Sequence, residues 1–320
     1  MNLPQTENIL KVIFTALIVI GGILIYGVLI EPNWIKIRGV QIKNHRLKRT
    51  IGHLRIVHLS DLHINTIGYR EKKTITLVKD LDPDLILITG DLVAFKQGFG
   101  PVVDFLDKLQ AKQGIWIALG NTDYSNENGL SILCHELNSK NLQDTGGIHF
   151  LRNSHETIVP SQTANQSINF IDQPKRNNCL TIIGLDDPVT HKDDLAAALD
   201  GVPQENAKIL LTHYQNFTTN SDISKQFKSI DLVLSGHTHG GQIFILKHLP
   251  SFINHWYFKR KSDKENSRLI KADHRRVPSV FEGLYHQEQT IGYINRGLGV
   301  SYLPIRLGVR PEIAILEFTG

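Results

Sequence analysis

Gly236-His237-Thr238-His239-Gly240-Gly241-Gln242 follows the apolar-rich run from Ile230 to Leu234. The run reads as a short buried strand, so the two histidines fall on the loop just past a strand end. With only Thr238 between them they are spaced to serve two neighbouring metal ions, and the flanking glycines let the backbone come close. An isolated H-x-H is more often a pair of polar loop histidines. The residues upstream decide between the two readings.

Leu54 to Leu59 is an apolar-rich strand that delivers Asp61 and His63. Glu71 to Leu81 has helical spacing and is stopped by Pro83. Leu85 to Thr89 is the next buried strand and ends at Gly90-Asp91. Val102 to Leu109 is helical, and Ile115 to Leu119 is a strand ending at Gly120-Asn121. Strand, helix and strand alternate through short loops, the pattern of βαβ units. A helix is expected over Leu130 to Asn138, a hairpin or loop insertion over His149 to Ile171, a strand over Leu180 to Ile183, and a helix over His191 to Leu199. Ile209 to Thr212 is a strand ending at His213, and Tyr293 to Phe318 returns to strand-like sequence. Each polar residue of interest lies just past the carboxyl end of a strand, where ligands bind in α/β sheets.

The candidate metal ligands are therefore Asp61, His63, Asp91, Asn121, His213, His237 and His239. All are oxygen or imidazole donors, suited to Mn²⁺, Zn²⁺ or Fe, and thiolates are absent from the set. Seven donors exceed one tetrahedral shell and suit two ions sharing a carboxylate. Singly, an aspartate at a strand end is an ordinary helix cap. Five such blocks in order, each at a strand end, are not explained that way.

The order D-x-H (Asp61, His63), G-D (Gly90, Asp91), G-N-x-D (Gly120, Asn121, Asp123), His213 and G-H-T-H (Gly236 to His239) resembles the calcineurin-like metallophosphoesterases. The resemblance covers about Leu54 to Phe318. Glu31-Pro32-Asn33-Trp34, the G-G-Q after the histidines and Arg296-Gly297-Leu298-Gly299 are similar to the membrane-associated YkuE-like branch. The resemblance implies a four-layer α/β sandwich and two divalent ions, with Mn²⁺ expected first. Asp61, His63, Asp91 and His239 would hold one ion, and Asp91, Asn121, His213 and His237 the other. Asp91, Asn121 and His237 are the ligands expected to act in catalysis. Such a pair lowers the pKa of a bridging water and steadies charge during in-line displacement at phosphorus.

One position departs from the family pattern. The residue after the motif asparagine is usually a histidine that assists the leaving group; here it is Thr122. Threonine is no general acid near neutral pH, and such assistance is typically worth about 10²–10⁴-fold. The site is therefore expected to prefer a pyrophosphate or activated diester over an alkyl monoester, unless His255 or His274 fills the gap. Thr122, Arg70 and Arg296 are candidate substrate contacts, although Arg70 reads equally well as a solvated helix start.

Val12 to Ile30 is nineteen residues without a charge. As a helix it would span roughly 28 Å, close to the hydrocarbon thickness of a bilayer. A cleaved signal peptide and a core helix are the competing readings. No A-x-A site precedes Glu31-Pro32, and the segment has no polar face. Only Lys11 precedes the span, whereas six basic residues follow within 31–50, which places the carboxyl-terminal bulk in the cytoplasm of a bacterial-type inner membrane. The expected organisation is a tail over 1–11, an anchor over 12–30, a basic juxtamembrane linker over 31–50 and one domain over 51–320.

The net charge of +4 is unevenly spread. Residues 31–50 carry six Lys/Arg against one acid, and residues 247–276 nine against three, leaving −7 on the remainder. Two basic stretches suit contact with an anionic membrane surface, not nucleic-acid binding by the whole domain. Residues 244–281 read as an insertion mixing apolar bulk with a basic cluster, either interfacial or a lid on its own domain. At 41% hydrophobic and 21% charged the chain is an ordinary globular protein, and two cysteines, Cys134 and Cys179, make no disulfide framework. Anchor, insertion and missing general acid together favour a lipid-linked anionic substrate, of which UDP-2,3-diacylglucosamine is the first expectation. A broad-specificity phosphodiesterase or phospholipid phosphoesterase, or a non-catalytic scaffold of the same fold, are the alternatives.

Overall fold

The computed structural model describes residues 3–94, 99–124, 147–160, 179–215, 227–244, 280–287, 290–301 and 303–320. β2 (Ile56–Ser60), β3 (Leu85–Thr89) and β4 (Gly114–Ala118) are buried at every position, as the continuous apolar runs of a covered parallel sheet require. They pair in parallel, Ile56 beside Leu85 and Leu85 beside Gly114. β5 (Ile148–Leu151) extends this sheet past β4; β12 (Glu312–Thr319) joins β2 antiparallel, and β1 (Lys36–Lys43) lies parallel outside β12. The second sheet has the order β10 (Gly283–Gln287), β11 (Thr290–Ile294), β9 (Leu232–Ser235), β8 (Ala207–Leu211), β7 (Leu180–Gly184), β6 (Ser154–Ile158).

Alternate side chains of the inner strands face opposite ways, and this builds four layers. Val57, Leu59, Ile86, Ile88 and Ile117 pack on α3 (Tyr69–Leu81) and α4 (Phe99–Leu106) through Val78, Val102 and Leu106. Ile56, Leu85, Leu87 and Trp116 meet Ile182, Ile209, Leu232 and Leu234 between the sheets. Ile183, Leu210 and Val233 carry α5 (Leu195–Leu199) on the outer face. The helix–sheet–sheet–helix sandwich is the expected one.

Several local readings are corrected. The basic stretch 31–50 is not a linker: β1 occupies 36–43, and α2 (His45–Ile51) follows, capped by the Asn44 side chain. Val40 and Ile42 alternate inward, and Arg38 on the same face pairs with buried Glu312 (3.6 Å), so the positive charge masks a period-two strand. The hairpin expected from His149 is two strands in different sheets, β5 on β4 and β6 on β7; the turn at Arg152–Asn153 carries the chain across the sandwich. The helix expected from His191 begins only at Leu195, where Asp194 caps it. Tyr293 to Phe318 supplies one strand to each sheet. The expected helix over Leu130 to Asn138, residues 161–171 and residues 245–279 lie outside the described residues.

At the amino end, α1 (Leu3–Ile25) runs into a π-helical turn, Tyr26–Ile30, and a 3₁₀ turn, Glu31–Asn33. The stretch Glu7–Asn33 is long and apolar enough to cross a membrane, and its side chains are exposed through most of its length. Among the described residues, its far end is the part that docks on the body. The Gly27 carbonyl accepts the Arg306 N–H (2.9 Å), and buried Glu31 accepts the Gly308 N–H (2.9 Å).

Candidate metal centre

β2, β3, β4, β8 and β9 all end on one edge of the sandwich, and the ligand candidates are the first residues beyond them. Asp61, His63, Asp91, His237 and His239 all have φ between 43° and 68°, five of the nine non-glycine residues with left-handed backbone among those described. Such strain persists where surrounding structure over-determines it, and it turns these side chains back over the strand ends. Gly236 makes room for this: a Cβ there would overlap Ser60 Oγ and Asp61 Oδ2.

The side chains gather into two groups, Asp61–His63–His239 and Asp91–His213–His237, each with its donor atoms mutually within 4.8 Å. His63 Nε2 lies 3.0 Å from His239 Nε2, and His237 Nδ1 lies 3.0 Å from His213 Nε2. Asp91 Oδ2 is 3.3 Å from both His63 Nε2 and His213 Nε2, so one oxygen faces both groups. Asp61 Oδ1 is 3.3 Å from His239 Nε2. Neighbouring ligands on one ion with bonds of about 2.1 Å at right angles stand roughly 3 Å apart, which is this spacing. Asn121 Oδ1 is buried without a hydrogen-bond partner, as an oxygen reserved for a cation would be. The donor set therefore fits two divalent ions: six of the seven sequence-derived candidates gather in the two groups, and the seventh, Asn121, follows β4 with its buried oxygen unpartnered.

A second layer that the sequence reading missed holds these ligands. His213 Nδ1 donates to the Thr89 carbonyl (3.0 Å), leaving Nε2 to face the site. Behind Asp61 runs a buried chain. Its links are His58 Nε2 to Thr89 Oγ1 (2.9 Å), Thr89 Oγ1 to Ser60 Oγ (2.8 Å), and Ser60 Oγ to Asp61 Oδ2 (2.7 Å). Burial pushes His58 down to about 3, so it enters this chain as a neutral ring. Asp123 accepts the N–H groups of Leu92, Val93 and Gly120, tying the β3 loop to the β4 loop.

Arg306 is fully buried and has no carboxylate partner among the described residues. Nε donates to the Gly299 carbonyl, Nη1 to Val309, and Nη2 to Arg296, Gly297 and Gly299. Burial, with Arg70 nearby, pushes it down to about 9. The loop it grips lies on the ligands: a Cβ on Gly297 would come within 2.6 Å of Asp61 Cβ, and the Gly299 N–H donates to the Asp61 carbonyl (2.6 Å). Nη2 also lies 3.4 Å from His239 Nδ1. Nothing local in the sequence marks Arg306, because its partners are backbone carbonyls and one remote ring.

The three substrate-contact candidates have other partners. Arg70 is paired with Glu71 (2.6 Å), and Arg296 with Glu282 (2.6 Å) and Glu312 (3.5 Å), so each guanidinium already has a carboxylate beside it. Thr122 gives its hydroxyl proton to the Val93 carbonyl (2.8 Å), while its N–H orients Asp91 Oδ1 (2.9 Å). His255 and His274 lie outside the described residues.

Residues 54–241 match the family model described as calcineurin-like phosphoesterase. The chain is a calcineurin-like phosphoesterase. Among its relatives, this phosphoesterase is 28% identical to a transmembrane protein with metallophosphoesterase domain from Danio rerio, over 93% of this chain and 60% of that protein. It is 28% identical to the uncharacterized metallophosphoesterase YkuE of Bacillus subtilis, over 98% of both chains. It is 30% identical to the UDP-2,3-diacylglucosamine pyrophosphatase LpxG of Chlamydia muridarum, over 90% of both.

The electrostatics of the phosphoesterase site predict how metal and pH interact. Burial pushes Asp61 up to about 6. Burial would lower His213, but Asp91 beside it outweighs this and raises it to about 10; His213 in return holds Asp91 well below the usual carboxylate range. A raised native pKa stabilises the fold below the unfolded value and is lost as pH rises through the native one. For Asp61 that loss falls between about pH 4 and 6, and for His213 between about 6.5 and 10. Burial also raises Asp123 to about 7, which adds to the loss, whereas His58, lowered to about 3, gains with pH only up to about 6.5. Asp91, with its depressed pKa, loses its contribution only below its ordinary value, outside this range. The metal-free protein should thus lose stability from pH 5 to 8, while ions that displace these protons bind more tightly. The gain in melting temperature on adding Mn²⁺ is expected to be larger at pH 8 than at pH 5.5; differential scanning fluorimetry checks it.

Proposed function

We propose that this phosphoesterase is a membrane-anchored hydrolase of a pyrophosphate or activated phosphodiester bond in a lipid-linked substrate, UDP-2,3-diacylglucosamine first among them. Its domain would lie on the cytoplasmic face of a bacterial-type inner membrane. Two Mn²⁺ ions would be held by Asp61, His63, Asp91 and His239, and by Asp91, Asn121, His213 and His237, and would supply Lewis acidity and an activated water at neutral pH. The chain's own groups do the rest. The Asp123 carboxylate fixes the β3 and β4 loops. Thr122 N–H and the Ser60–Asp61 bond orient the two carboxylates.

The observation that carries the choice of bond is Thr122. Its hydroxyl proton is engaged by Val93, so the place where this family usually offers an acid to the leaving group offers none. A phosphate leaving group needs little such help, whereas an alkoxide loses roughly 10²–10⁴-fold without it. The apolar amino-terminal helix and the similarity to LpxG support the lipid-linked part of the reading.

The test is a substrate screen of detergent-solubilised full chain with Mn²⁺. UDP-2,3-diacylglucosamine and bis(p-nitrophenyl) phosphate are expected to turn over at least about 10²-fold faster than an alkyl phosphate monoester. Comparable rates would overturn the preference. A reporter fused after Gly320 that is active only outside the inner membrane would overturn the orientation.

A further inference from the structure

Past Ile30, the described residues with large, exposed apolar side chains are Trp34, Ile37, Tyr69, Val159, Phe244, Leu284 and Leu303. Four of these seven are joined by contacts to the point where the apolar helix ends. Trp34 lies under Arg310, whose guanidinium stacks 4.1 Å from the ring centre and donates to the Trp34 carbonyl. Tyr69 opens α3, where Lys73 lies 5.5 Å over its ring and reaches the Asn33 carbonyl (3.4 Å). Phe244 donates its N–H to the Leu307 carbonyl (2.7 Å), one residue from Arg306, whose own N–H is held by Gly27. Leu303 precedes Ile305, which fills the space over Gly27.

The same segments carry the metal centre. Gln242, three residues past His239, donates to the Leu303 carbonyl (2.7 Å) and accepts the Ser301 N–H (3.0 Å). Basic side chains sit against two of the apolar ones: Lys73 over the Tyr69 ring and Arg310 over the Trp34 ring. Apolar rings and aliphatic tips beside lysine and arginine are what an interfacial surface needs: the former enter the acyl boundary, the latter meet anionic headgroups.

We propose that Trp34, Tyr69, Phe244 and Leu303 form a collar that seats in the anionic bilayer surface around the helix exit, so that the metal centre takes phosphate presented at headgroup level. The occupant is the bilayer itself, continuous with the span of Glu7–Asn33. The collar deepens the lipid-substrate reading above and rests on it for the substrate alone. It makes a bilayer-borne phosphate local and leaves a soluble one without that advantage.

The test uses full-length protein reconstituted into phosphatidylethanolamine–phosphatidylglycerol vesicles. Depth is read by brominated-lipid quenching of the tryptophan added in Phe244→Trp, against Val159→Trp, which follows β6 on the opposite edge strand. Stronger quenching at 244 is expected; equal quenching overturns the collar whatever the activity. Function is read as the ratio of turnover on vesicle-borne UDP-2,3-diacylglucosamine to that on soluble bis(p-nitrophenyl) phosphate. Phe244→Ser/Leu303→Ser is expected to lower this ratio about tenfold, the scale of two lost apolar contacts, and Val159→Ser to leave it unchanged. An unchanged ratio in the double variant overturns the delivery role. If wild type hydrolyses neither substrate, the function reading fails, and the quenching alone decides the collar.

Discussion

Asp91→Asn is expected to lower phosphodiester turnover by at least about 10³-fold, equivalent to ~4 kcal/mol of barrier. A single oxygen, Oδ2, faces His63 on one side and His213 on the other, each at 3.3 Å. An amide keeps the shape, and its oxygen can still accept the Thr122 N–H that Oδ1 accepts now (2.9 Å). It cannot supply an anion to two cations at once. The loss should therefore appear in metal content as well as rate, with bound Mn²⁺ falling from two per chain to one or fewer by elemental analysis. The fold should survive, since Asp123 still ties the β3 and β4 loops through three backbone N–H groups. A variant that kept two ions and lost less than tenfold in rate would remove Asp91 from its bridging place.

Arg306→Met is expected to cost about 3 kcal/mol of stability, and to weaken Mn²⁺ binding on the 10–100-fold scale seen when a ligand's supporting group is lost. The guanidinium feeds the carbonyls of Gly299, Val309, Arg296 and Gly297 from one buried position. Of these, Gly297 O also accepts the Glu312 N–H, so its loss is partial. Each carbonyl left unpaired in the interior costs about 1–3 kcal/mol. Removing a buried cation that has no carboxylate beside it offsets part of that. The readouts are a thermal shift of roughly 5–10 °C, on the usual scale of a few degrees per kcal/mol, and a Mn²⁺ titration. Arg306→Lys should recover little of either, because an ammonium is a point donor and the five bonds here need a planar fork. Metal affinity unchanged in a destabilised Arg306→Met would make the residue structural only.

The candidate metal ligands were legible in the sequence because each block of them follows an apolar-rich run. Leu85 to Thr89 can only be a covered strand, and what comes next, Gly90-Asp91, must sit at its end. Local pattern sufficed there. It failed where the partner was remote. Arg296 reads as a candidate phosphate contact, and nothing local in the sequence shows that Glu282 and Glu312 pair with it across the fold. The polar, strand-like run from His149 reads as a hairpin or loop insertion, but Ile148–Leu151 and Ser154–Ile158 join different sheets. Nothing local in the sequence links Ser60 with Thr89; only the approach of β3 to β2 makes them a chain to Asp61. Residues 36–43 were hidden by their own charge.

That first strand has a consequence for how the protein is made. Lys36 lies opposite Glu312, a partner 276 positions later in the chain. At about 5–20 residues per second, translation takes roughly a quarter of a minute to a minute to supply it. Throughout that interval the nascent chain presents an unpaired edge, with Val40 and Ile42 uncovered, beside an apolar helix that has already emerged. Ribosome pausing between positions 43 and 312 would lengthen that exposure, and holdase chaperones are the natural guardians of it.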